Sequence, residues 1–232
     1  MTVDPVRALG ARFVASVAGV REVPVGPPEI AMCGRSNVGK SSLINALCNQ
    51  RQLARASRTP GRTQRVNLFD VDLATGQSVR LVDLPGFGHA EAPGAVRDNF
   101  SPMIQDYLLN QDALCAVAIL CDLRRDEDPD AIGFAEWLRE NGRDVIIIAT
   151  KADQVPKNHR FSQQAKLARA FGLQRPPLAI STLEHLGLSE LWHQLYAMAW
   201  PEGSPRKGKA KGPKAKEGGP SGSGKPNPSA PR

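Results

Sequence analysis

Hydrophobic positions change their period along the chain, and the changes mark the elements. Continuous apolar runs of strand length occur at Glu29-Ile30-Ala31-Met32-Cys33, Leu114 to Leu120 and Val145 to Ala149. A strand covered on both faces reads this way, which points to a central parallel sheet. Arg65 to Val71 roughly alternates, and Ser78 to Val82 returns after the turn Ala74-Thr75-Gly76. These two predict an antiparallel hairpin of half-buried strands. A last short strand is predicted at Leu178-Ala179-Ile180. Helical spacing covers Ser42 to Leu47, the stretch after Phe100, Ala131 to Glu140, Gln163 to Phe171 and Leu188 to Trp200, with Asn141-Gly142 and Gly172 as stop signals. Residues 1–28 are weakly patterned. An irregular or strand-like lead-in is expected there, packed on the domain edge and ended by Pro24, Pro27 and Pro28. Strands that alternate with helices make an α/β fold, an open sheet with its ligand at the strand tips.

Composition adds a boundary at the other end. The 232 residues, 41% of them apolar, suit one globular domain plus extras. The net charge is +7, but Pro201 to Arg232 holds eight basic residues against Glu202 and Glu217. The tail therefore carries +6 and the body +1, so the high pI reports a tail and not a basic fold. Rich in Gly, Pro, Ser, Ala and Lys, residues 201–232 are expected to be disordered. The domain expectation is thus a lead-in at 1–28 packed on the domain, a main domain at 29–200, and a tail at 201–232. No apolar run reaches the ~18 residues of a membrane span, and the N-terminus shows no sustained signal-peptide core. A cytoplasmic protein is expected. Cys33, Cys48, Cys115 and Cys121 form no metal-ligand spacing and read as reduced thiols.

The chemistry lies at the strand ends. Gly34-Arg35-Ser36-Asn37-Val38-Gly39-Lys40-Ser41 fits the P-loop pattern, between a predicted strand and a predicted helix. Its backbone N–H groups and the helix dipole would cradle phosphates. Lys40 would sit on the outer phosphates and Ser41 would ligate Mg²⁺. Asp83-Leu84-Pro85-Gly86 follows the hairpin. Asp83 would hold Mg²⁺ through water, and the Gly86 N–H would touch the γ-phosphate. Thr150-Lys151-Ala152-Asp153 leaves another strand. Asp153 can accept both the N1–H and the N2 amino group of guanine, which adenine does not offer, and this argues against an ATPase. The stem of Lys151 can pack along the base. The basic loop from Gln50 to Gln64 reads either as a solvated surface loop or as a switch that orders on nucleotide.

These strings together with Thr59-Pro60-Gly61-Arg62-Thr63-Gln64 and Asp83-Leu84-Pro85-Gly86-Phe87-Gly88 resemble the EngB (YihA/YsxC) family of bacterial GTPases. The resemblance covers roughly residues 12 to 200. It implies a Ras-like P-loop GTPase fold, with a mixed, mostly parallel sheet and helices on both faces. It implies that Thr63 is the switch I threonine on Mg²⁺, so that Lys40, Thr63 and Gly86 serve hydrolysis and Ser41 and Thr63 hold the metal. The implied nucleotide contacts are Gly34, Arg35, Ser36, Asn37, Val38, Gly39, Lys40, Ser41, Gly61, Arg62, Thr63, Gln64, Arg65, Asp83, Leu84, Pro85, Gly86, Thr150, Lys151, Ala152, Asp153, Ile180, Ser181 and Thr182, the last three forming the final guanine-contact loop.

The implied role is GTP hydrolysis in assembly of the large ribosomal subunit, with a link to cell division and septation. The partner would be that subunit or its precursor rRNA, with no membrane, no DNA, and a monomer expected. Two features depart from the family. His89 stands where an aromatic is common, and the basic tail is not a family feature. Phe87 occupies the position where Ras-like enzymes carry a water-orienting glutamine, so slow intrinsic turnover is expected, with the ribosome or a potassium ion on Asn37 as the missing activator. Asn37 reads equally as a turn residue. The alternative is an RNA-binding assembly factor whose tail does the work and whose nucleotide is structural; the tail also reads simply as a solubility device.

Overall fold

The computed structural model of the chain describes residues 4–54, 65–86, 102–125 and 128–202. Among them, in chain order, lie β1 (Ala8–Val17), β2 (Glu29–Gly34), α1 (Lys40–Leu47), β3 (Val66–Leu73), β4 (Ser78–Asp83) and α2 (Pro102–Asn110). There follow β5 (Leu114–Asp122), α3 (Pro129–Glu140), β6 (Val145–Thr150), α4 (Lys157–Ala170), β7 (Leu178–Ala179) and α5 (Leu188–Ala199). The strands form one seven-stranded sheet in the order β1-β3-β4-β2-β5-β6-β7. β1, β3 and β4 pair antiparallel, and the strands from β4 onward pair parallel. This is the Ras-like mixed sheet.

Burial follows from the apolar runs. Along β2, Ile30 and Met32 face α1 and α5, while Ala31 and Cys33 face α2, α3 and α4. Both faces are therefore dry, and β2 carries no polar position inside its span except Glu29. Trp192 on α5 is 4% exposed and donates its indole N–H to the Leu47 carbonyl at 3.0 Å, a core residue with its polar atom satisfied.

The lead-in, expected as irregular or strand-like on the domain edge, holds a ten-residue strand, β1, which covers the outer edge of β3 with register shifts at Ala8/Gly10 and Phe13/Ala15. Two departures from the periodicity have physical causes. The hairpin strands are more buried than alternation predicts: Asp70 is 4% and Arg80 1% exposed. Arg80 donates to Asp70 at 2.6 and 3.3 Å, to Glu29 at 3.2 Å and to the Pro24 carbonyl at 2.7 Å. Tyr107 on α2 donates to the other Glu29 oxygen at 2.6 Å. Charge at these positions marks a paired interior cluster and not a wet face. Finally, α4 starts at Lys157, six residues before the expected start at Gln163. Its first three residues, Lys157, Asn158 and His159, are polar and exposed after Pro156, and Phe161 is exposed too, so no apolar face marks the start.

Candidate functional site

The tips of β2, β4, β5, β6 and β7 bring the predicted motifs to one end of the sheet. The turn after β2 is shaped by its glycines. A methyl group on Gly34 would meet the Leu120 carbonyl oxygen at 2.8 Å and a Val38 methyl at 2.9 Å. Gly39 has φ 104°, a left-handed conformation that glycine adopts without a Cβ clash, and from it α1 starts. Asn37 also lies in the left-handed region, with φ 63°, which asparagine tolerates. Ser36 and Asn37 thus form the exposed rim of the loop, Arg35 is half-buried, and Val38 is its buried anchor.

Lys40 and Ser41 open α1, where unpaired N–H groups and the helix dipole favour an anion. The Lys40 ammonium is ion-paired with the Asp83 carboxylate at the tip of β4. Asp83 is 7% exposed, and its second oxygen lies 3.5 Å from the Asn67 amide nitrogen. The P-loop and the second motif are therefore one hydrogen bond apart. Leu84 is buried and Pro85 and Gly86 lead out of the strand. A methyl on Gly86 would stand 3.0 Å from the Gly34 carbonyl oxygen and 3.6 Å from the Ser36 nitrogen, so this glycine lies against the P-loop backbone.

Two side chains tie the base-side motif to the same loop. The Thr150 hydroxyl donates to the Val38 carbonyl at 2.9 Å and lies 3.2 Å from the Cys121 carbonyl. Lys151 donates to the Asn37 carbonyl at 2.6 Å. Ala152 donates its N–H to the Ile180 carbonyl at 3.0 Å, and Ile180 in turn donates to Ala149 at 2.7 Å. Asp153 is half-buried beside this turn, Ser181 is fully buried, and Thr182 is half-buried. The loop after β7 thus abuts Thr150-Lys151-Ala152-Asp153.

Not every expected residue joins the cluster. The Arg65 guanidinium donates to the Ser16 carbonyl on β1 at 2.7 Å and to no P-loop residue. Gly61, Arg62, Thr63 and Gln64 lie outside the described residues, as do Phe87 and His89 and the tail at 203–232. A cavity of about 120 Å³ opens beside Ser36, Asn37, Asp122, Arg125 and Asp128. It is part of the open strand-tip face, which is the candidate site.

One central residue escaped the sequence reading. Asp122, the last residue of β5, is 9% exposed and pairs in register with Thr150. Burial works to raise its pKa, but hydrogen bonds from Arg124 and Lys151 outweigh it and hold the carboxyl at about 2. Its signal was present: an acid ends an apolar strand, as Asp83 does, but no motif string encloses it.

The residues at this end of the sheet suit a magnesium nucleotide. Ser41 and Asp83 offer hard oxygen donors beside an anion-binding helix start. Among the described residues no group of three or more His, Cys, Asp or Glu gathers as a metal cage. Mg²⁺ is usually held by one or two such oxygens plus phosphates and water, so the set fits.

Comparison with known proteins agrees with this geometry. Residues 29–151 match the family described as 50S ribosome-binding GTPase. The probable GTP-binding protein EngB of Geobacter metallireducens is 42% identical over 192 residues, 81% of this chain and 91% of that protein. The protein of the same name from Anaeromyxobacter sp. strain Fw109-5 is 38% identical over 208 residues, 87% of this chain and 96% of that protein. Among solved structures, a probable GTP-binding protein engB superposes with a TM-score of 0.56 at 22% identity, covering 74% of this chain and 98% of that one. Era, in complex with MgGDPNP and nucleotides 1506–1542 of 16S ribosomal RNA, superposes with a TM-score of 0.61 at 19% identity, covering 78% of this chain and 59% of that one.

Proposed function

Because the chain belongs to the EngB family of GTP-binding proteins and is a GTPase, we propose that its GTP cycle serves assembly of the large ribosomal subunit and, through it, normal cell division and septation. The observation that carries the nucleotide reading is the junction of base motif and P-loop, Thr150 to Val38 and Lys151 to Asn37. The family description, a 50S ribosome-binding GTPase, supports the partner. The reading places its action in the cytoplasm; no helix of the described residues is long and apolar enough to cross a membrane.

In this reading the N–H groups of Gly34 to Ser41 and the Lys40 ammonium hold the phosphates, Lys40 turning from Asp83 to the nucleotide. Ser41, and Thr63 from the switch loop, would hold Mg²⁺, with Asp83 acting through water; the metal supplies charge neutralisation between the outer phosphates. Gly61, Arg62, Gln64 and Arg65 would close over the nucleotide with Thr63. The Gly86 N–H, already beside the P-loop, would report the γ-phosphate. Asp153 reads guanine, and Ile180, Ser181 and Thr182 close the base edge with Ala152. With Phe87 in place of a glutamine, turnover of the isolated protein is slow, and a large subunit or K⁺ at Asn37 supplies the missing stabilisation.

The test is co-sedimentation of the full chain, and of the chain lacking 201–232, with large subunits and their precursors in GTP and in GDP. GTP-dependent binding that survives tail removal is expected. Binding that is indifferent to nucleotide and lost with the tail would favour the RNA-binding reading, which the +6 of tail charge recommends. GTP turnover measured in K⁺ and in Na⁺, with and without subunits, identifies the activator; fast turnover in Na⁺ alone would defeat the claim that one is needed.

A further inference from the structure

Lys151 is held in an unusual way. Its backbone has φ 60°, the left-handed region that a long side chain seldom adopts. A residue keeps such a conformation only where its surroundings over-determine it. Here the determinants act on the far end of the side chain. The ammonium lies 3.0 Å from Asp122 Oδ2 and donates to the Asn37 carbonyl at 2.6 Å. Fixed at both ends, the four-carbon stem has one course to follow.

Asp122 is built for this task. Its side chain is 5% exposed. Oδ1 accepts from the Arg124 backbone N–H at 3.1 Å and from Arg124 Nε at 2.9 Å, and Oδ2 accepts from Arg124 Nη2 at 2.6 Å. Arg125 Nε lies 3.9 Å away. Arg124 then donates to Gln154 Oε1 at 2.6 Å, reaching the far end of the turn that begins at Lys151. One carboxylate therefore grips the base-side turn at both ends, directly through Lys151 and indirectly through Arg124. Without it Lys151, Arg124 and Arg125 would face one another as like charges.

We propose that Asp122 is a positioning residue for guanine nucleotide, fixing Lys151 so that its stem presents a preformed edge to the base while its ammonium ties that edge to the P-loop. This rests on the reading of Lys151 as the residue that packs along the base. The effect lies at the base end, so it is blind to the γ-phosphate: GDP and GTP gain residence time by the same factor. Ordering the stem in advance removes an entropy cost that binding would otherwise carry.

The experiment measures dissociation of fluorescent GDP and of a fluorescent non-hydrolysable GTP analogue from the full chain. Asp122→Asn keeps the shape and removes the charge; both nucleotides should leave about tenfold faster. Lys151→Met keeps an apolar stem and removes the ammonium. In that background Asp122→Asn should add less than about twofold, because the partner is gone. Asp122→Glu retains the charge one methylene further out and should fall between wild type and Asp122→Asn. If Asp122→Asn does not fold, the Asp122→Glu comparison in the two Lys151 backgrounds carries the same test. Equal acceleration with and without the Lys151 ammonium would overturn the proposal, since a merely structural carboxylate acts that way. Unchanged dissociation in Asp122→Asn, or acceleration for the GTP analogue alone, would overturn it too. The wild type's own affinity for GDP reports on the nucleotide reading, and the variant-to-wild-type ratio reports on Asp122, so the two fail separately.

Discussion

Replacing Thr150 by valine isolates one hydrogen bond. Valine has nearly the shape of threonine, with a methyl in place of the hydroxyl, so no cavity opens. What disappears is the donor to Val38 O at 2.9 Å and its 3.2 Å approach to Cys121 O. A hydroxyl has one proton, so one acceptor is served at a time or both weakly. Thr150 is 5% and Val38 4% exposed, so water reaches the abandoned carbonyl poorly. Leaving a buried acceptor unpaired costs about 1–3 kcal/mol. For a domain of this size that is a fall in Tm of roughly 2–4 °C per kcal/mol. Urea unfolding and a fluorescent GDP titration read the two consequences. Stability should fall by about 2 kcal/mol. GDP affinity should fall by about tenfold if the carbonyl of Val38 turns away and carries the loop with it, each tenfold being worth ~1.4 kcal/mol. Thr150→Ser keeps the hydroxyl and should retain most of the affinity. Valine indistinguishable from wild type in both assays would show that this hydroxyl does not fix the P-loop.

Arg80→Met strands Asp70 and Glu29 as buried carboxylates, with Arg12 and the Tyr107 hydroxyl as their remaining partners. A loss of about 3–5 kcal/mol in urea unfolding is expected, and a loss under 1 kcal/mol would contradict the buried-cluster account. Asp122 has a depressed pKa, about 2 against the ordinary 3.8. Its stabilising contribution is therefore complete above pH ~4 and is lost as pH falls toward 2. Wild type should lose roughly 2 kcal/mol more than Asp122→Asn across that window, and parallel pH–stability curves would refute it. Burial pushes the Cys48 and Cys121 thiols up to about 12, and Cys33 higher still. Ellman's reagent at pH 8 should therefore label Cys115, the half-buried one, well before the other three; rapid reaction of two or more thiols in native protein would refute it. Asp153→Asn should cost GTP about a hundredfold in affinity and shift preference toward xanthine nucleotides. Unchanged GTP affinity would remove Asp153 from the base site.

The sequence alone determined what depends on neighbours along the chain. Strand and helix periods reflect which faces are dry, and β2, β5 and β6 are dry on both. The turn at Gly34 to Ser41 needs backbone freedom and N–H groups within eight residues, so its string is legible without a fold. The same holds for Asp83 to Gly86 and Thr150 to Asp153. Tertiary structure decided whatever depends on sheet order. Thr150 meets Val38 across 112 positions and Lys151 meets Asn37 across 114, because β5 lies between β2 and β6 and sets their spacing. Local pattern left the lead-in either irregular or strand-like, and the pairing with β3 decided it as the edge strand β1. The pattern could not show that Asp70 and Arg80 turn inward, because a charge is solvated or paired according to what covers it. Asp122 is the clearest case. A carboxylate at a strand tip acquires its role from the groups that the neighbouring strand delivers, and those are 29 positions away in the chain at Lys151.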